Sequence, residues 1–237
     1  MRITESAHTP EKDLETGQIA VRSYLYEKKA IQRGLFNNFK VHREFPGANI
    51  PAATVRVNAE NLIQTKNENG EIEVDPFTLQ LAAGELVGLM EALELSIDAV
   101  VGVPSGGTTL AKEAGRLMSS RRKFSGVTVI PVEKGRFQDI PKGEGRPRVV
   151  VIEDVITTAT SSIELVKALQ AAEYEVVAVI TLVDREQWGR ERLEKMGVQV
   201  RAVLTLEQIL RGKEEYVQDM EAERAMREAL KAIFGYE

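Results

Sequence analysis

VVVIEDVITTATSS, residues 149–162, runs from four apolar strand formers into two adjacent carboxylates and then into a cluster of Thr, Ala and Ser. A continuous Val/Ile run marks a strand buried on both faces, as in a parallel sheet covered by helices. In open α/β sheets, ligands bind outside the carboxyl ends of the strands, and Glu153-Asp154 stands at such an end. Two carboxylates buried without partners would be costly, so they require water, a cation or hydroxyl donors. Thr157 to Ser161 form the turn into a helix. A helix N-terminus offers free N–H groups and a positive partial charge, and so it binds phosphate. Carboxylates for hydroxyl groups beside a phosphate cradle describe a site for a sugar phosphate. The same residues also read as an ordinary N-cap behind a solvated strand end, and this stretch alone does not separate the two.

The surrounding chain supports the sheet. IDAVVGV (97–103), VTVIPVE (127–133), EVVAVITLVD (175–184) and VQVRAVL (198–204) read as further strands. Helical patterns follow most of them: GGTTLAKEAGRLMSSRR, SSIELVKALQAA, EQWGRERLEKMG and the short TLEQIL. This alternation predicts an α/β fold, an open and mainly parallel sheet with helices on both faces. Upstream, residues 18–31 are a helix candidate, and 54–75 is expected to be a β-hairpin around Asn69-Gly70. Asp75 is the expected N-cap of the helix 75–95, with Pro76 at its first position. The tail, 213–234, is a charged amphipathic helix with Ala222, Met226, Ala229, Leu230 and Ile233 in one stripe and Gly235 at its end. The expected division is an N-terminal α+β segment, 1–75, then a core, 76–212, and a C-terminal helix, 213–237.

Composition narrows the function. The 237 residues carry 31 basic and 36 acidic side chains, a net charge of −5, which gives no ground for nucleic-acid binding by overall charge. There is no cysteine, so disulfides, thiolate metal sites and a Cys nucleophile are excluded. The two histidines, His8 and His42, lie far from any ligand constellation. A polar start and the lack of a long apolar run predict a cytoplasmic protein without a membrane span.

Three segments in order carry a resemblance: VVVIEDVITTATSS, VGVPSGGTTLA (101–111) and the VDR of ITLVDREQWG (180–189). Together they resemble the type I phosphoribosyltransferases, and most nearly the orotate phosphoribosyltransferase branch, over about residues 97–210. The resemblance implies the type I phosphoribosyltransferase fold with residues 1–75 as a hood for the base. It implies transfer of the 5-phosphoribosyl group of 5-phosphoribosyl 1-diphosphate (PRPP) to a nucleobase, most closely orotate, with Mg²⁺ as cofactor and a homodimer as the assembly. By the same resemblance Glu153 and Asp154 hold the ribose. Thr157, Thr158, Ala159, Thr160 and Ser161 cradle the 5-phosphate, and Ser105, Gly106, Gly107 and Thr108 the pyrophosphate. Arg185, of the VDR motif, meets the base, and Lys40 is a further base-binding candidate, from the altered N-terminal stretch. Mg²⁺ is expected to be bound mainly through PRPP, with no protein ligand assigned.

The sequence also departs from that pattern. Ala159 stands where the phosphate loop of the family has glycine, which adds strain of about 1 kcal/mol if the position needs a positive φ. The loop PVEKGRFQDIPKGEGRPR, 131–148, is shorter than the family's mobile loop and has no His. Lys134 and Arg136 are its candidates for reaching a pyrophosphate, with Gly135, Gly143 and Gly145 as hinges of a lid; an ordinary solvated loop is the competing reading. In the N-terminal segment, RGLFNNFKV is similar to the family's Gly-x-Phe stretch, but HREFPGANIPAATVRVN replaces its usual continuation. These departures keep two alternatives open: a ligand-sensing protein with a degraded catalytic loop, or a transferase for another base.

Overall fold

A computed structural model describes residues 14–36, 44–94, 96–104 and 106–236. Five strands form the central sheet: β5 (Ala99–Gly102), β6 (Thr128–Ile130), β7 (Arg148–Ile156), β8 (Glu175–Asp184) and β9 (Gln199–Thr205). All pairings among them are parallel, in the order β6-β5-β7-β8-β9. The sequence runs outward from β5 to β6 on one side and from β7 through β8 to β9 on the other. A switch point therefore lies between β5 and β7, the position at which such sheets bind ligands.

Both faces are covered, as the apolar runs require. Val150 and Ile152 of β7 pack with α2 (Pro76–Ala92) and α3 (Gly106–Ser119), while Val149 and Val151 pack on the face of α4 (Thr160–Ala171). Asp75 caps α2, accepting from the Phe77 and Thr78 amides at 3.1 and 3.3 Å, and Pro76 opens the helix. The helix α1 (Thr16–Glu27) lies on the same side as α2, and Gln18 and Arg22 bind carbonyls of Val203 and Ile209.

The N-terminal segment differs from expectation. The run at 54–65 does not continue as one strand. β2 (Ala53–Val57) pairs with β1 (Ile31–Phe36), a short 3₁₀ turn (Ala59–Asn61) intervenes, and the hairpin is β3 (Gln64–Lys66) with β4 (Ile72–Val74). The helix expected over 18–31 ends at Glu27, and Ile31 already belongs to β1.

The helix expected over 186–197 is also shorter. Glu186 and Trp188 adopt left-handed backbone (φ 57° and 66°), so α5 spans only Gly189–Glu194. Behind β9 come α6 (Leu206–Leu210) and α7 (Val217–Ile233). The apolar stripe of α7 is used within the chain: Met226 and Leu230 are buried with Ile50 and Ala53. Gly235 has positive φ just past the helix end, as read from the sequence. Among the described residues no helix is long and apolar enough to cross a membrane.

Candidate functional site

A polar cleft of about 310 Å³ opens at the β5/β7 switch point. Register explains what meets there. Gly102 on β5 lies beside Ile152 on β7, and the Val103 amide donates to the Ile152 carbonyl at 2.8 Å. The chain after β5 therefore starts α3 against the end of β7. A Cβ on Gly107 would overlap the Ile152 carbonyl, and one on Gly106 would overlap the Asp154 carboxylate. The glycine pair is needed for this close packing, and the Gly107 amide donates to the Val103 carbonyl at 3.0 Å.

Glu153 and Asp154 leave the strand in opposite directions, as successive residues must. Glu153 is buried, and its Oε2 accepts from the Ser162 hydroxyl at 2.8 Å. Asp154 is half-buried beside Gly106. The turn after β7 brings Thr157, Ala159, Thr160 and Ser161 to the cleft wall. Ala159 is left-handed (φ 56°, ψ 19°) and precedes the first turn of α4. This is the conformation that favours glycine, so the Ala-for-Gly departure falls on a position that does need positive φ. Thr158 is fully buried and does not line the cleft; its hydroxyl lies 3.3 Å from that of Thr160.

The other expected residues divide. Gly106 and Lys134 line the cleft with Glu153 and Asp154, whereas Gly107 and Thr108 stand behind its surface in α3. Arg136 turns away: it pairs with Glu133 at 3.1 Å and borders a separate cavity of about 210 Å³. The far half of this loop is tied down. Gly143 is buried, its amide donates to the Ala172 carbonyl at 2.8 Å, and Lys142 pairs with Glu173 at 2.8 Å. Of the expected hinges, Gly135 and Gly145 have positive φ and open space, and Gly143 has neither. Lys40 and Ser105 lie outside the described residues.

Arg185 does not reach the cleft. Its guanidinium is buried, donating to the Val55 carbonyl and lying 3.5 Å from Glu223 on α7. Burial pulls its pKa below the usual value, and the Glu223 carboxylate opposes that shift. The Glu223 carboxylate also accepts from the amides of Thr54 and Val55 at 2.8 and 3.0 Å and from the Gln187 side chain at 3.3 Å. Arg185 thus joins the end of β8, strand β2 and α7, and borders a small cavity of about 60 Å³ away from the cleft. In that cavity, burial pushes the Glu186 carboxyl above its ordinary range.

Residues that the sequence reading missed come from β2 and the turn after it. Arg56, Asn58 and Glu60 line the cleft. Arg56 is the outward member of the alternating Val55-Arg56-Val57, and that alternation was the available signal. Nothing local in the sequence says that this strand borders the β7 loop. Among the described residues no group of three His, Cys, Asp or Glu forms a metal cage.

Comparison with known proteins bears on the family and the fold. Residues 69–203 match the family model described as the phosphoribosyl transferase domain. An orotate phosphoribosyltransferase of a Nocardioides species is 33% identical over 133 residues, covering 56% of this chain and 72% of that protein. That of Aquifex aeolicus is 38% identical over 91 residues, covering 34% of this chain and 50% of that protein. A Synechocystis relative of the same name is 33% identical over 131 residues, 53% of this chain and 65% of that protein. The chain thus spans half the length of the Aquifex relative and just under two thirds of the Synechocystis one. The crystal structure of orotate phosphoribosyltransferase from Aeropyrum pernix superposes with a TM-score of 0.57 at 26% identity, covering 80% of this chain and 96% of that one. The type I phosphoribosyltransferase fold is therefore the fold observed here, and the chain belongs to the phosphoribosyl transferase domain family.

Proposed function

We propose that this protein transfers the 5-phosphoribosyl group of PRPP to orotate and releases pyrophosphate. The observation that carries the reading is the single cleft in which Glu153-Asp154, the turn 157–161, Gly106 and Lys134 converge across the β5/β7 switch point. The turn at the N-terminus of α4 supplies N–H groups and hydroxyls for the 5-phosphate. Asp154 and Glu153 accept from the ribose hydroxyls, with Glu153 oriented by Ser162. The start of α3 and Lys134 receive the pyrophosphate.

The bond from the anomeric carbon to the pyrophosphate oxygen breaks, and the electron pair leaves with pyrophosphate. A ring nitrogen of the base supplies the new pair and gives up its proton. Positive charge develops on the ribose ring between these events, and the two carboxylates lie where they stabilise it. Lys134 offsets the charge gathering on the leaving group, and Gly135 beside it gives the loop freedom to bring it inward. Mg²⁺ fits the site only in part. Asp154 offers a hard oxygen donor, but Glu153 is engaged by Ser162, so most of its ligands would come from PRPP oxygens. When bound, it supplies charge neutralisation at the pyrophosphate. For the acceptor, Arg185 is held by Glu223, and among the described residues of the N-terminal segment Arg56 is the cation that lines the cleft. Arg56 is therefore our candidate for meeting the orotate carboxylate.

Calorimetric titration with PRPP, with and without Mg²⁺ and then with orotate added, tests the reading. Mg²⁺-dependent binding and formation of orotidine 5′-monophosphate are expected, and Asp154→Asn should bring turnover down by at least about 100-fold while the fold persists. Binding without consumption of PRPP by any base would make the protein a ligand sensor. Consumption with another base but not orotate would reassign the acceptor.

A further inference from the structure

The phosphate loop already holds an anion, and it belongs to the chain. Thr160 lines the cleft, and its hydroxyl donates to Oε2 of Glu44 at 3.2 Å. The other oxygen of Glu44 is paired with Arg192 of α5. Arg192 in turn donates to the Thr158 carbonyl at 2.6 Å and lies over the Phe234 ring, 4.5 Å from its centroid. The carboxylate therefore takes one hydroxyl and one guanidinium at the edge of the loop, the donors that a phosphate oxygen would take. Glu44 lies 116 residues from Thr160 and 148 from Arg192, so the contact is tertiary.

We infer that Glu44 is a placeholder for the 5-phosphate and that Arg192 is a phosphate-binding residue held in reserve by it. The inference rests on the phosphate position proposed above. A phosphate that accepts from Thr160 would stand beside the Glu44 carboxylate, and two like charges sharing one donor repel. Binding then requires Glu44 to leave. Its departure frees the second guanidinium edge of Arg192, whose first edge stays on the Thr158 carbonyl and keeps the group beside the loop. Phe45, adjacent to Glu44, packs edge-on against Phe234, the ring under Arg192, at 5.5 Å. Displacement of Glu44 is thereby linked to the end of α7.

Ribose 5-phosphate is the probe, titrated calorimetrically at fixed ionic strength against the native protein and three variants, with ribose as the control lacking phosphate. E44Q keeps a hydrogen-bonding side chain but removes the competing charge, and affinity for ribose 5-phosphate should rise about tenfold. R192Q should lower it about tenfold, with R192K in between. Denaturant midpoints show whether each variant is folded. Unchanged or weakened binding by E44Q overturns the inference, because the Glu44 charge then does not compete with the phosphate. If neither native protein nor E44Q binds ribose 5-phosphate, the placeholder and the phosphate loop fall together. If binding responds to E44Q but PRPP is not consumed with any base, the placeholder stands and the transferase reading fails.

Discussion

Ala159 and Gly189 show how single residues set the shape of the turn after β7. Ala159 is held at φ 56°, which costs a residue with a side chain about 1 kcal/mol. Its methyl is nevertheless buried, 5% exposed, in the cluster that includes Leu165 and Leu193. Burying one such carbon is worth about 0.8 kcal/mol. The two effects nearly cancel, so Ala159→Gly should shift stability by less than about 1 kcal/mol in a denaturant titration. A larger change in either direction would contradict this balance. Gly189 has no such latitude: a Cβ there would overlap the Thr157 carbonyl and crowd the Ala159 amide. Gly189→Ala should cost about 1–3 kcal/mol and weaken ribose 5-phosphate binding, and intact binding would show that the loop tolerates displacement. The Ala-for-Gly departure was visible in the sequence because it lies within one motif. The demand on Gly189 was not, since it comes from backbone about thirty residues away, in the turn after β7.

Elements with two buried faces were the legible ones. β7 and β8 carry continuous apolar runs, Val149–Ile152 and Val176–Ile180, and stand inside the sheet, so no neighbour had to be known to recognise them. β1 is half-exposed along IQRGLF and becomes a strand only by pairing with β2. Of β1 only Ile31 was read, as the end of the helix before it, and the rest was not read as a strand. The start of α2 was legible because capping is local. Asp75 also pairs with Lys28 at 2.6 Å, next to the end of α1, a contact no local pattern announces. The hydrogen bond from Lys28, aided by the Thr78 and Phe77 amides, holds the Asp75 carboxyl below its ordinary 3.8. Between the folded and unfolded values the unfolded chain binds more protons, so stability rises with pH there. The Asp75 contribution should be complete above about pH 4 and decline as the pH falls through the folded value. Asp75→Asn should flatten the acid limb of stability against pH. Asp75→Ala should in addition lose about 1 kcal/mol of capping at neutral pH. An acid limb unchanged in both variants would refute the assignment.

Across the whole molecule, the joint between Arg185, Glu223 and β2 ties the sheet to the last helix. The apolar stripe of α7 was readable, but its partner was not: Glu223 looks like one more charge on a solvated helix. Only the packed chain reveals it as buried, accepting from two amides of β2. Glu223→Ala would leave the Arg185 guanidinium buried without its counter-ion, so a loss of about 3–5 kcal/mol is expected in chemical denaturation. A loss under about 1 kcal/mol would mean that water reaches Arg185 and the joint is not dry. The same joint explains why the surroundings of Arg185 were not legible. The motif Arg was readable in sequence, but its environment is made by residues 130 positions upstream and 38 downstream. It also has a consequence in time. Glu223 is 168 residues beyond Val55. At ribosomal speed that is roughly 10–30 s of elongation. Through that interval the nascent β2 amides have no carboxylate to bind, and the newborn strand is an open edge that a neighbouring chain can pair with.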